Sequence, residues 1–141
     1  MRVPDAGLYI VTLDNHEPIS VNAHAPRIAA RCIHVSRVNC KLGKATSLAL
    51  REAAYVRTFG AGNVRLRPIA FTHDLARAER LVLLAVRAWR MRGRTGRLNE
   101  WLAGIEPAEA ERIALHALDM GGIDYAPALP ALNASAAPFM Q

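Results

Sequence analysis

The chain has 141 residues, of which 52% are hydrophobic and 21% are charged. This length and apolar content suffice to bury the core of one globular domain, and they exclude a largely disordered chain. The net charge of +6 is unevenly spread: residues 27–97 hold 16 Lys and Arg against three acidic residues, a net charge of +13, and the flanking segments have a net charge of −7. Positive charge so concentrated predicts a polyanion-binding surface.

The apolar segments of the sequence are too short to form a membrane-spanning helix. No run approaches the roughly 18 apolar residues needed to cross a bilayer. The N-terminal segment also lacks the apolar length and the small-residue cleavage site of a signal peptide. We therefore expect a cytoplasmic protein with no membrane partner.

The two cysteines form neither a disulfide framework nor a zinc motif. Cys32 and Cys40 can be combined with His34 as metal ligands, but no fourth ligand is evident in the sequence. We favour the alternative, in which both cysteines are small apolar residues of a hairpin.

The first half of the chain predicts short strands and one helix. Gly7–Leu13 is rich in β-branched and aromatic residues and predicts a strand. Residues 14–31 contain prolines with scattered His and Asn, which is typical of a loop. Residues 31–38 and 40–45 then predict two short strands with a tight turn near Asn39.

A helix follows these strands. Thr46 or Ser47 can cap its N-terminus with a hydroxyl group, and the helix is expected to run to about Thr58. Gly60 or Gly62 then ends it.

The second half predicts one strand and two helices. Residues 63–71 alternate apolar and basic side chains around Pro68, which predicts a strand near a sheet edge. Residues 72–93 predict a helix of about five turns. Pro107 and the pair Gly121–Gly122 mark the start and end of the last helix. The long helix carries an apolar stripe formed by Leu75, Ala78, Val82, Ala85 and Trp89.

Together these elements predict an α+β fold: a small antiparallel sheet of three to four strands flanked by helices. We expect residues 1–125 to form a single domain with residues 14–31 as an insertion. Residues 126–141 are rich in Ala and Pro without periodicity, and we expect a loosely ordered tail.

Glu79 is the most informative carboxylate. It falls within the apolar stripe of the long helix, whereas Arg77, Arg80 and Arg87 face away. An ionised carboxylate on a core-facing stripe is costly unless it is paired or bound to a metal. We favour a buried ion pair, with Arg51 as the candidate partner. The alternative is a metal ligand at the edge of the sheet.

One strand-to-helix junction gathers several phosphate-binding groups. Arg51 and Tyr55 are four residues apart and share a helix face, and Arg51 can bind a phosphate through two nitrogens. Gly43, between Lys41 and Lys44, lets a ligand approach the backbone, and the helix that follows offers unpaired N–H groups. The glycine spacing of a P-loop is missing, which excludes nucleotide hydrolysis of that type.

A basic segment follows the long helix. It contains Arg90, Arg92, Arg94 and Arg97 around a glycine-rich turn, and such a segment suits phosphate contacts. Trp101, just beyond it, is expected to anchor the core rather than to stack on a base.

These residues resemble the GIY-YIG nuclease superfamily, in particular the phage-associated branch in which KIG replaces YIG and a Glu-Trp pair follows the metal-binding helix. The resemblance runs from Gly7 to Trp101. Its most specific part is the spacing from Gly43 to Arg51 and Tyr55. The matching segments are GLY at 7–9, KLGKATSLALREAAY at 41–55, Glu79, and RLNEW at 97–101.

The resemblance implies a set of catalytic residues. Tyr9 corresponds to the tyrosine of the first motif, and Lys41 takes the place of the tyrosine of the second. Lys44 is the basic residue after the second motif's glycine, and Arg51 and Tyr55 form the helix pair.

The resemblance also implies a metal ion and a substrate. Glu79 corresponds to the ligand of a Mg²⁺ or Mn²⁺ ion, and Asn99 to the asparagine that closes the site. The implied activity is metal-dependent endonucleolytic hydrolysis of phosphodiester bonds in DNA, with partner protein domains supplying sequence recognition. The arginines of the basic segment would bind the nucleic acid.

The sequence departs from the family pattern in two ways. The interval from Tyr9 to Lys41 is longer than a simple hairpin, so either an insertion loops out or His34 takes the place of Tyr9. Lys41 also lacks the phenol of the residue that it replaces. The alternatives are therefore a nucleic-acid-binding module on the same fold with weak or no cleavage, and a basic interaction protein.

Overall fold

The structure, a computed structural model, describes residues 5–128 and shows an α+β fold. The described part contains four α-helices: α1 (Pro26–Ala29), α2 (Leu48–Phe59), α3 (Leu75–Ala85) and α4 (Pro107–Met120). A 3-10 helix covers Arg87–Trp89. The same part contains eight strands: β1 (Gly7–Leu13), β2 (Ile19–Ser20), β3 (His34–Val35), β4 (Asn39–Ala45), β5 (Val64–Phe71), β6 (Arg90–Arg92), β7 (Leu98–Ala103) and β8 (Ala126–Pro127).

Six strands form one antiparallel sheet in the order β6-β7-β4-β1-β5-β8. The predicted fold class is confirmed, but the predicted count of three to four strands is too low, because short strands extend both edges. β5 lies next to the edge strand β8, as its proline predicted. β1 and β4 pair directly, with Tyr9 opposite Gly43, so residues 14–38 loop out between them.

The predicted tight turn near Asn39 is confirmed: Asn39 N donates to the Ser36 carbonyl at 2.9 Å. The two strands that flank this turn do not pair with each other, so the expected hairpin is wrong. β3 pairs with β2 in a separate two-stranded sheet, and Asn39 is the first residue of β4. The buried Asn39 side chain accepts a hydrogen bond from the Ser36 backbone at 2.9 Å and donates one to the Leu102 carbonyl at 3.0 Å. It therefore joins β4 to β7. The expected loop over residues 14–31 also contains β2 and α1.

The caps of α2 and α4 agree with the sequence. The Ser47 hydroxyl accepts a hydrogen bond from the Leu50 backbone at 3.2 Å, and Gly60 ends the helix. Pro107 is the first residue of α4 and Gly121 follows its last turn.

The long helix is shorter than predicted. α3 has 11 residues and ends at Ala85, after which the chain turns into the β6–β7 hairpin. No Gly or Pro interrupts residues 72–92, so the sequence contained no local stop signal. Pairing of β6 with β7 supplies the backbone hydrogen bonds that a longer helix would otherwise make. Ala85 is consequently exposed, and Val86 takes the buried position.

The sheet separates two apolar layers. Tyr9 and Val11 pack on the α2 side, whereas Leu8 and Ile10 pack on the side of α3 and α4, as strand alternation requires. Trp101 is a core anchor, as predicted, and its ring contacts Phe59 edge to face at 5.7 Å between centroids.

Two further expectations concern the ends of the chain and the membrane. Residues 129–141 of the expected tail lie outside the described residues, and Ala126–Pro127 form β8. Within residues 5–128, no helix combines the length and the apolar character that crossing a bilayer requires.

Candidate functional site

A cavity of about 220 Å³ opens at the end of β4, beside α2 and α3. Four of the predicted catalytic residues line it: Tyr9, Lys44, Arg51 and Glu79. Glu100, which had no predicted role, lines it as well. The fold thus brings together residues as far apart in the chain as Tyr9 and Glu100.

A buried pair of tyrosines supports one wall of the cavity. The Tyr9 and Tyr55 hydroxyls are hydrogen-bonded at 2.7 Å, and Arg51 Nη1 donates to the Tyr9 hydroxyl at 3.5 Å. Burial raises the pKa of Tyr9 far above its usual value, and burial also raises the pKa of Tyr55. Both phenols are therefore protonated at neutral pH, and they act as hydrogen-bonding groups rather than as bases.

Gly43 makes room for this tyrosine pair. A Cβ atom at position 43 would lie 2.6 Å from the Tyr9 hydroxyl oxygen. The space that the sequence suggested for a ligand near the backbone is therefore taken by the Tyr9 phenol. Glycine is required here because the two strands hold these residues directly opposite each other.

The N-terminus of α2 is already capped. The Asp5 backbone carbonyl accepts from Leu48 N at 2.7 Å, and the Asp5 carboxylate accepts from Ala49 N at 3.2 Å. The Ser47 hydroxyl accepts from Leu50 N and donates to Asp5. The expectation of unpaired N–H groups at this helix end is therefore wrong, because an acidic residue from the start of the chain occupies them.

Glu79 forms an ion pair, as favoured from the sequence, but its partner is Lys44 rather than Arg51. Lys44 Nζ donates to Glu79 Oε1 at 2.9 Å. The Glu79 side chain is 17% exposed and the Lys44 side chain 43% exposed. Arg51 lines the same cavity and remains available to another group.

A second Lys–Glu pair lies on the other side of Gly43. Lys41 Nζ is 3.4 Å from Glu100 Oε1 and lies 5.0 Å from the centroid of the Tyr55 ring. Here the lysine is 14% exposed and the glutamate 40% exposed. The Glu-Trp pair of the resemblance includes Glu100, but sequence spacing alone does not show that β7 lies beside β4.

The predicted nucleic-acid-binding residues lie next to the cavity, not inside it. Arg90, Arg97 and Asn99 line a groove of about 480 Å³ that shares Glu100 with the cavity. Arg90 Nε donates to the Asn99 carbonyl at 2.7 Å, which braces the hairpin. Asn99 Oδ1 accepts from the backbone of the next two residues, so this side chain shapes the strand.

The remaining two arginines of the basic segment are exposed on the hairpin. Arg92 Nη1 donates to the Gly96 carbonyl at 2.7 Å, and Arg94 lies in the exposed turn. Both present positive charge beside the groove.

The alternative metal ligands are not assembled. In the described part of the chain, no three His, Cys, Asp or Glu side chains come together as a metal cluster. Cys40 is buried in β4, where burial raises the pKa of its thiol to about 11, and Cys32 is half-buried. His34 is exposed on β3 and pairs with Ser20, whereas Tyr9 lies directly opposite Gly43 in the main sheet.

Comparisons with protein-family models, with curated proteins and with solved structures found no match.

Proposed function

We propose that the chain is a metal-dependent endonuclease of the GIY-YIG type that hydrolyses phosphodiester bonds in DNA. The observation that carries the proposal is the convergence of Tyr9, Lys44, Arg51 and Glu79 on one open cavity. They come from β1, β4, α2 and α3. A surface that only attracts polyanions needs neither a buried phenol pair nor a half-buried carboxylate.

The donor set of the cavity fits a hydrated Mg²⁺ or Mn²⁺ ion. Mg²⁺ prefers oxygen ligands, keeps several of its waters and needs only one or two carboxylates. Glu79 and Glu100 supply carboxylates at the cavity wall. The cavity volume of about 220 Å³ equals roughly seven water molecules at about 30 Å³ each. Glu79 would hold the ion, which would stabilise negative charge on the phosphate and on the leaving oxygen.

Arg51 and Lys44 would stabilise the phosphoryl oxygens. Arg51 is fixed beside Tyr9 and presents a planar group that can bind two oxygens at once. Lys44 neutralises Glu79 in the free protein, and its exposed ammonium group is free to contact the phosphate once Glu79 has another partner. Loss of one such donor commonly costs about 10²-fold or more in rate.

Tyr9 would orient the attacking water rather than deprotonate it. Tyr9 is one of the residues that line the cavity, and its raised pKa keeps the phenol proton at neutral pH. Tyr55 and Arg51 fix the direction of the Tyr9 hydroxyl through hydrogen bonds. Lys41 supports the arrangement because its ammonium group packs over the Tyr55 ring, a contact worth about 0.5–1 kcal/mol or more.

A second candidate function is nucleic-acid binding without cleavage on the same fold. The Lys44–Glu79 ion pair favours it, because this lysine already satisfies the carboxylate that a metal ion would need. The replacement of the second-motif tyrosine by Lys41 supports the same candidate.

A plasmid-nicking assay with Mg²⁺ or Mn²⁺ tests the proposal. We expect nicking by the wild type and a loss of about 10²-fold or more in Glu79→Ala and Arg51→Ala. Glu52→Ala and Arg57→Ala are matched controls, because both residues are exposed on α2 outside the cavity. Equal nicking by wild type and Glu79→Ala would overturn the assignment, and salt-sensitive DNA binding without nicking would favour the second candidate.

A further inference from the structure

The outer face of α3 and the turn after it carry a row of exposed residues. Arg77, Arg80 and Leu84 follow one another at spacings of three and four, which places them on one side of α3. Arg87 begins the 3-10 helix that follows. We call these four residues the α3 outer face. All four residues are exposed, and Leu84 is 65% exposed. The opposite side of α3 packs into the core.

The arginines of the α3 outer face are not neutralised. Among residues 5–128, none of them forms a salt bridge. The neighbouring helix α4 does contain acidic residues, but Glu109 pairs with Arg112 and Glu111 pairs with Arg67. Asp119, the third acidic residue of α4, accepts a hydrogen bond from the Tyr125 hydroxyl at 2.8 Å. Arg77 donates to the Gly121 carbonyl at 2.7 Å, a contact that leaves its positive charge without an acidic partner. Three neighbouring arginines that form no salt bridge favour an anion from outside the chain.

The α3 outer face lies close to the candidate site. The same helix carries Glu79, and Arg80 lies about 100° further round its axis. At its C-terminal end, Arg87 begins the turn that leads directly to Arg90 and the hairpin groove. A long ligand that enters the cavity can therefore continue along this face.

We propose that the α3 outer face binds the sugar–phosphate backbone of duplex DNA and holds one strand beside the cavity. The inference rests on the proposed function, because it extends the contact surface of the same substrate. From Arg77 to Ala85, the last residue of α3, the helix rises about 12 Å, which spans about three to four phosphates of one strand at 3.4 Å each.

The composition of this face favours a duplex over a single strand. Proteins that bind single strands combine a positively charged groove with aromatic side chains on which bases stack. The α3 outer face is a convex helix surface, and it contains no aromatic residue. Its one apolar side chain, Leu84, can lie against a deoxyribose between phosphate contacts.

Salt-dependent binding tests the proposal. The double variant Arg80→Gln/Arg87→Gln is compared with Arg65→Gln/Arg112→Gln, which removes the same charge from exposed arginines that are paired with acids. Binding of a duplex of about 30 base pairs is measured by fluorescence anisotropy without divalent metal, at several salt concentrations. Two lost phosphate contacts should reduce the log–log salt slope by about 1.8 in the first variant, with little change in the control.

Three outcomes would overturn the proposal. The first is an unchanged slope in Arg80→Gln/Arg87→Gln, and the second is an equal reduction in both double variants. The third is a reduction with a single-stranded oligonucleotide but none with the duplex.

Nicking activity of the wild type shows whether the α3 outer face proposal has failed or the proposed function has failed. Wild-type nicking together with an unchanged salt slope would reject only the α3 outer face. No wild-type nicking together with a reduced slope would reject the nuclease and retain the DNA-binding surface.

Discussion

The two Lys–Glu pairs of β4 have the same chemical composition but opposite exposure. In Lys44–Glu79 the glutamate is the more buried partner, whereas in Lys41–Glu100 it is the lysine. In each pair the more buried member also contacts other parts of the fold: Glu79 lines the cavity, and Lys41 packs over the Tyr55 ring.

This difference assigns a distinct role to each pair. In the first pair, a mostly buried carboxylate faces an exposed lysine, and under the proposed function a metal ion would replace that lysine as its partner. In the second pair, a mostly buried ammonium group packs over the Tyr55 ring. The two lysines are three residues apart in β4, and four comparisons of variants test whether the pairs differ in role.

The largest expected effect separates the two glutamates in catalysis. Under the proposed function, Glu79→Gln should lower Mg²⁺-dependent nicking by about 10²-fold or more, because it removes the charge that would hold the metal ion. Glu100→Gln should lower it by less than about tenfold, since a half-exposed ion pair contributes at most about 1 kcal/mol. Both variants conserve size, and nicking rates at saturating enzyme give the comparison. Equal losses would show that the glutamates share one role.

The next effect concerns Gly43, which separates the two lysines. Gly43→Ala places a methyl group against the Tyr9 hydroxyl and should lower the free energy of unfolding by about 1–3 kcal/mol. Gly93→Ala is the matched control, because its new Cβ would have only an ordinary contact at 3.7 Å. Urea unfolding measures both variants. A similar small loss in each would mean that the Tyr9 phenol can move away from position 43 at little cost.

A smaller effect separates the two lysines in metal binding. Lys44→Met removes the cation that competes for Glu79, so Mn²⁺ should bind about two- to fivefold more tightly, the equivalent of about 0.4–1 kcal/mol for an exposed pair. Lys41→Met should change Mn²⁺ affinity less, because Lys41 pairs with Glu100. Isothermal titration calorimetry without nucleic acid gives both constants. Weaker Mn²⁺ binding by Lys44→Met would contradict the exchange.

The smallest effect concerns the tyrosine pair Tyr9–Tyr55 and the way it makes the free energy of unfolding depend on pH. Burial raises the pKa of Tyr9, so the native chain holds this proton more tightly than the unfolded chain does. As pH rises through the unfolded value of about 10, the unfolded chain loses its proton first and the free energy of unfolding falls. Tyr9→Phe should therefore lose less stability than the wild type between neutral pH and about pH 10.5.

Urea unfolding at both pH values measures this difference. Tyr55 remains in the variant and still makes stability depend on pH, because burial raises its pKa as well. An identical decline in wild type and Tyr9→Phe would show that Tyr9 titrates as an ordinary tyrosine.

Local signals explain how much of the fold the sequence predicts. The ends of α2 and α4 follow from Ser47, Gly60, Pro107 and Gly121, because capping and helix termination depend on a few neighbouring residues. The end of α3 could not be predicted from the sequence. It depends on the pairing of β6 with β7, and no helix-terminating residue lies near Ala85. The pairing of β3 with β2 likewise depends on contacts distant in sequence.

The candidate site shows the same division. Arg51 and Tyr55 were predictable as a pair, since one helical turn fixes their relative position. The ion-pair partner of Glu79 was not predictable, because Lys44 and Arg51 both line the cavity. Only the three-dimensional arrangement shows that Lys44 is the partner. Glu100 was missed for a similar reason: its role depends on β7 lying beside β4.

The excursion over residues 14–38 has a consequence for how the chain tolerates changes in length. It leaves the sheet after Leu13 and returns at Asn39, while Thr12 and Cys40 remain directly paired. Additions or deletions inside the excursion therefore act outside the ladder that aligns Tyr9 with Gly43. Val35 is an exception to this freedom, because it is buried in the same apolar cluster as Tyr9. The exposed residues 16–18 are therefore the natural site at which evolution, or a protein engineer grafting a recognition module, can change the length of the chain without displacing Tyr9 from Gly43.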